Sequence, residues 1–126
     1  MTVQLNHTIV WRHDKAKAAG FLSEILDLPP PRPFLHFLVV DLDNGVSLDF
    51  MEKEGPVAVQ HYAFLVGDDA FRPLVERLEG RGLTYWADPA RTRPGEVNDH
   101  FGGQGVYFED PNGHLLEAIT RPYGAG

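Results

Sequence analysis

The chain has 126 residues, 43% of them hydrophobic and 23% charged, enough for one soluble domain with its own core. Its formal net charge of −7 argues against a nucleic-acid backbone or an anionic membrane surface as partner. It has no cysteine, which excludes disulfides and thiolate metal sites, and its opening MTVQLNHTIV lacks a basic stretch followed by an apolar core, so no signal peptide or membrane span is expected and a cytoplasmic location is the default.

In chain order, the first strand is expected near residues 3–11 and carries His7. Asp14 is suited to cap a helix whose apolar stripe is Ala18, Phe21, Leu22 and Ile25. The segment PPPRP at 29–33 is too proline-rich for an inner strand. Strands near 34–41 and 46–52 flank an Asn44-Gly45 turn, and the second of them carries Asp49. A strand near 60–66 opens with His61. Asp68 then stands where a cap belongs, before a helix with the stripe Phe71, Leu74, Val75 and Leu78 that Gly80 and Gly82 stop. A short strand near 84–87 leads into Asp88–Gly105, polar and rich in Pro and Gly, a length that marks a functional lid or a disordered segment. Strands near 105–109 and 115–120 follow, joined through an Asn112-Gly113 turn. The last strand is apolar except for Glu117 at its centre.

The two halves, about 1–55 and 56–126, repeat this order. NHTIV parallels QHYAF, and DNGVSLD parallels PNGHLLE, each an Asn-Gly turn with an acid four residues after the glycine. The histidines lie 54 residues apart and the acids 68, so an insertion of 14 residues falls in the second half, inside the polar loop. Neither half alone can bury its sheet; two related by a pseudo-twofold axis can. Such an axis gathers His7, His61, Glu117 and Asp49. Two imidazoles and a carboxylate are the facial set of non-haem iron(II) enzymes and equally serve zinc, nickel, cobalt or manganese. The alternative is structural, with histidines hydrogen-bonded within their strands and Glu117 paired with Arg121.

The stretches LNHTIV, QHYAFLV and, most specifically, GVYFEDPNGHLLEAIT resemble the vicinal-oxygen-chelate superfamily of glyoxalases, fosfomycin-modifying thiol transferases, bleomycin-resistance proteins and extradiol ring-cleaving dioxygenases. The resemblance covers nearly the whole chain. It implies an α+β fold in which paired βαβββ modules, within a single domain over 1–126, form a curled mixed sheet around a metal-centred cavity. It implies His7, His61 and Glu117 as metal ligands, with Asp49, one methylene shorter than the glutamate of glyoxalases, in a supporting place. It also implies a homodimer. The order Asn98-x-His100, then Val106-Tyr107, Asp110-Pro-x-Gly113 and Glu117 matches the extradiol signature, which gives His100 and Tyr107 catalytic roles. Ser47 stands near where extradiol enzymes carry a further histidine, and neither the basic patch nor the potassium loop of the thiol transferases is evident. His114 reads as a turn residue, and His13 and His36 have no partner in the repeat.

The expected function is therefore a metal-dependent enzyme that chelates two adjacent oxygens of a small substrate, with Fe2+ first and Zn2+, Ni2+, Co2+ or Mn2+ as alternatives. Trp86 and Phe101 are candidates for lining an apolar pocket, with Tyr62 facing either it or the helix; Arg91 and Arg93 are candidates for meeting a substrate carboxylate. The competing reading is a metal-free protein that sequesters an aromatic drug.

Overall fold

The computed structural model of the chain describes residues 3–123. The fold is α+β, and the order βαβββ occurs twice. The chain divides into two compact units, Met1–Ala58 and Val59–Gly126. The first holds β1 (His7–Arg12), α1 (Lys15–Ile25), β2 (Arg32–Phe34), β3 (Phe37–Asp41) and β4 (Ser47–Glu52); the second holds β5 (His61–Leu65), α2 (Asp68–Gly80), β6 (Tyr85–Trp86), β7 (Gly105–Glu109) and β8 (Leu115–Ile119). The strands form two four-stranded sheets, β1-β4-β3-β2 and β5-β8-β7-β6, neither closed on itself. In each, the outer pair β1·β4 or β5·β8 is parallel and the remaining pairs are antiparallel. Among the described residues, no helix is long and apolar enough to cross a membrane.

Both helical stripes are buried as their spacing predicts: Ala18, Phe21, Leu22 and Ile25 on α1, and Phe71, Leu74, Val75 and Leu78 on α2. Asp14 caps α1 by accepting from the Lys17 N–H at 3.0 Å. Asp68 does not cap α2. Gly67 is the cap and lends no side chain, whereas Asp68 is the first helical residue and its carboxylate pairs with Arg121. There it still complements the positive helix terminus. Both helices close in the same way, with a residue in the left-handed region, Asp27 or Gly82, and a six-residue hydrogen bond from Leu28 to Ser23 or from Leu83 to Leu78. The proline-rich segment supplies an additional strand not anticipated there, β2. It lies at the sheet edge, where the missing N–H of Pro33 costs least.

Alternation along the strands gives each sheet two unlike faces. In the first sheet, Val10, Leu48, Phe50 and Val40 are buried core residues. His7, Ile9, Ser47, Asp49, Phe37 and Val39 project to the other side and line a groove of about 390 Å³. In the second sheet, Phe108, Leu116, Val106 and Ala118 belong to the core.

The turn into β8 is fixed by a local network. Asp110 Oδ1 accepts from Asn112 N–H at 3.0 Å and His114 N–H at 2.9 Å, and Gly113 supplies the positive φ of 84°. The buried His114 ring accepts the Gln60 N–H through Nδ1 at 2.7 Å, which anchors the residue before His61. The expected structural role of His114 is therefore seen. Replacing it with alanine deprives Gln60 of its acceptor and opens a cavity. His114→Ala is expected to lower unfolding free energy by about 2–3 kcal/mol, read from urea denaturation of metal-free protein.

Candidate metal centre on the second sheet

Strand register places Trp86, Tyr107, Glu117 and Ala63 opposite one another, one from each of β6, β7, β8 and β5. Three candidates from the sequence thus stand in one row. His61 precedes Ala63 by two residues and shares its face. Glu117 is only 1% exposed. A carboxylate buried so deeply costs several kcal/mol unless its oxygens are met, and each has a polar neighbour within reach. Oε1 lies 3.0 Å from His61 Nε2, and Oε2 accepts from the Tyr123 hydroxyl. Tyr107 Oη sits 3.1 Å from Tyr123 Oη, and the Tyr107 ring stacks on that of His61 at 6.1 Å. Arg121, the alternative partner for Glu117, instead binds Asp68 at 2.8 Å.

The tautomer of His61 follows from its second nitrogen. Nδ1 lies 3.0 Å from the carbonyl oxygen of Leu115, which can only accept, so Nδ1 carries a proton. In the neutral ring, Nε2 then presents a lone pair toward Glu117 Oε1. Two acceptors face each other at 3.0 Å, an arrangement that a cation between them resolves, either a proton or a metal ion. Two ligands about 2.1 Å from one ion and at right angles around it are about 3 Å apart. A metal-bound histidine whose other nitrogen donates to a backbone carbonyl is the usual supporting arrangement. The pair therefore fits a divalent metal.

Burial holds the Tyr107 phenol well above its ordinary pKa, reinforced by hydrogen bonds to Tyr123 and Glu117. Burial, then the bond to Glu117, raises Tyr123 as well. Both remain neutral donors at physiological pH.

The first sheet repeats the register. His7 lies opposite Ser47 with Asp49 two residues on, as His61 lies opposite Leu115 with Glu117 two residues on. His7 Nδ1 bonds Asn6 Oδ1 at 2.7 Å, and His7 and Asp49 share the groove described above. Arg32 and Phe34 of β2 close that groove, and Arg32 pairs with Asp41 at 2.6 Å. Among the described residues, no group of three His, Asp or Glu side chains is gathered as a metal-binding set.

The loop after β6 is tied down. Asp88 accepts from the Thr92 and Arg93 N–H groups, and Asn98 donates to the Ala87 carbonyl and forms an isolated bridge with Gly105. Arg91 pairs with Glu109 at 2.6 Å and lies over the Trp86 ring, while Arg93 pairs with Glu96 at 2.9 Å, so both guanidinium groups are engaged. His100 begins a 3₁₀ turn, His100–Gly102; its neighbour Phe101 packs its ring 4.9 Å from that of Tyr123. Tyr62 faces away from this cluster and meets the His114 ring edge-on.

The family model described as the Glyoxalase/Bleomycin resistance protein/Dioxygenase superfamily matches residues 4–118. The chain belongs to this superfamily. Among solved superfamily-like structures, Oxidase ChaP-H1 is 56% identical with a TM-score of 0.96, over 98% of this chain and 100% of its own. Oxidase ChaP-H2 is also 56% identical with a TM-score of 0.96, over 100% of this chain and 99% of its own. Glutathione transferase FosA from Serratia marcescens is 33% identical over 129 residues, covering 93% of this chain and 80% of that protein.

Two site residues escaped the sequence reading, Tyr123 and Arg32. Tyr123 lies in RPYGAG beyond the last strand, where neither periodicity nor the repeat marks it. Arg32 was hidden among prolines. If Glu117 is retained for a metal, its removal should cost metal binding rather than the fold. Glu117→Gln is expected to stay within about 1 kcal/mol of the parent after chelation and to lose the rise in melting temperature that metal gives the parent. Calorimetry with and without chelator reads both.

Proposed function

We propose that this protein is a metal-dependent oxidase of the dioxygenase type that acts on a small aromatic substrate bearing two adjacent oxygens. The observation that carries this reading is the facing pair of His61 Nε2 and Glu117 Oε1, with the other histidine nitrogen committed to the Leu115 carbonyl. The 56% identity to proteins called oxidases favours redox chemistry over thiol transfer. In this reading Fe2+ is the working ion at His61 and Glu117, with Zn2+, Ni2+, Co2+ and Mn2+ as substitutes at the same donors. Asp49 stays outside the coordination set and supports it.

When bound, the metal supplies Lewis acidity and a place for oxygen and for the two substrate oxygens. The chain's own groups do the rest. Tyr107, held neutral, donates to developing negative charge on the substrate only by releasing Tyr123 Oη, 3.1 Å away. His100 moves a proton from the loop over the site. Trp86 and Phe101 offer ring faces to an aromatic substrate. Arg91 and Arg93 meet a substrate carboxylate only by exchanging Glu109 and Glu96 for it. The exposed apolar residues Ile9, Trp11 and Leu65 favour a homodimer, in which a second copy covers them.

Elemental analysis of purified protein, followed by assays of catechols and α-keto thiohemiacetals with and without oxygen, tests this reading. Bound iron and oxygen-dependent turnover of a catechol-like compound are expected. Protein that takes up no divalent metal, and whose melting temperature chelation leaves unchanged, would be a metal-free binding module instead. Light scattering is expected to give twice the 14.1 kDa chain mass. With the substrate in hand, His100→Ala is expected to lower turnover about a hundredfold while metal content stays at the parent level.

A further inference from the structure

We propose that Tyr123, in the segment after the last strand, is a positioning residue of the metal centre: its hydroxyl fixes Glu117 so that Oε1 alone faces the metal, and its ring ties that carboxylate to the loop through Phe101. The inference rests on the metal-centre reading above. It starts from an asymmetry in Glu117. A carboxylate has two equivalent oxygens and rotates between ways of presenting them. Here Oε1 faces His61 Nε2 at 3.0 Å, and Oε2 accepts from Tyr123. Tyr107 Oη, 3.1 Å from Tyr123 Oη, completes a line of donation from Tyr107 through Tyr123 to Glu117. Because the Tyr123 hydroxyl is spent on Oε2, rotation of Glu117 toward a two-oxygen grip on the ion would break a charge-assisted hydrogen bond.

Tyr123 is not held as a core residue, since it is 55% exposed. What keeps it in place is polar contact with Glu117 and Tyr107 and the ring of Phe101 at 4.9 Å. Phe101 itself sits in the left-handed region, φ 58° and ψ 25°, which a bulky residue adopts only where surroundings hold it. The His100 and Tyr123 rings both contact it. The loop, the C-terminal tyrosine and the buried carboxylate therefore form one chain of contacts.

The test is calorimetric titration of metal-free protein with Co2+, which needs no substrate. Tyr123→Phe keeps the ring on Phe101 and removes only the hydroxyl. It is expected to weaken Co2+ binding by about ten- to a hundredfold, the scale for losing a group that orients a ligand, and to lower the melting temperature of the metal-free protein by about 4–8 °C, because Oε2 loses its donor, while the protein stays folded at the temperature of the titration. Deleting residues 123–126 is expected to weaken binding at least as much. Parent-like or tighter Co2+ binding by Tyr123→Phe, with the parent itself binding, would overturn the role of Tyr123 and leave the metal centre standing. A parent that binds no Co2+ would overturn both.

Discussion

The burial of one carboxylate constrains the second sheet. Glu117 sits at the centre of β8, in a segment that would otherwise be wholly apolar, and it is nearly inaccessible to water. An uncompensated charge there would cost more than a typical surface interaction returns. The surroundings are arranged around that cost. His61 comes from the parallel neighbour β5, the Tyr107 phenol from the antiparallel neighbour β7, and Tyr123 from beyond the strand.

Register converts this pairing into a property of the fold. A histidine that opens one parallel strand stands two residues short of the acid's level on its neighbour, on the same face in both halves. The two halves then diverge. The row through Glu117 runs Trp86, Tyr107, Glu117, Ala63; the corresponding row through Asp49 runs Arg32, Val39, Asp49, Ile9. The first is aromatic and rich in donors. The second has two aliphatic residues between and beside two charged ones, and the charge at its edge is already shared with Asp41. Asp49 is one methylene shorter than Glu117, and the groove beside it offers apolar surface.

What could be read from the sequence follows from periodicity. Both helical stripes, both Asn-Gly turns and the strands bearing His7, Asp49, His61 and Glu117 are written in local alternation and repeated, so two copies reinforce each reading. The misses have tertiary causes. Asp68 resembles a cap, but the chain enters α2 one residue earlier and Arg121, distant in sequence, claims the carboxylate. β2 is short and proline-bearing, and exists because β3 offers an edge to pair with. Tyr123 gains its meaning only once β8 has buried Glu117, and nothing in RPYGAG announces it.

The 3.0 Å contact between His61 and Glu117 admits two fillings, a proton on the imidazole or a metal ion, and they differ in how far they offset the burial of Glu117. Either filling accounts for Oε1 alone and leaves Oε2 in need of a donor, which Tyr123 supplies with the Tyr107 phenol behind it. His61 is half-exposed, its side chain 45% accessible, so a charge on it would be largely screened by water and would offset little of the cost of burying Glu117. A divalent ion carries twice that charge and can hold the carboxylate oxygen directly. Bound at Oε1, such an ion would offset more of the cost of burying Glu117 than a proton on His61.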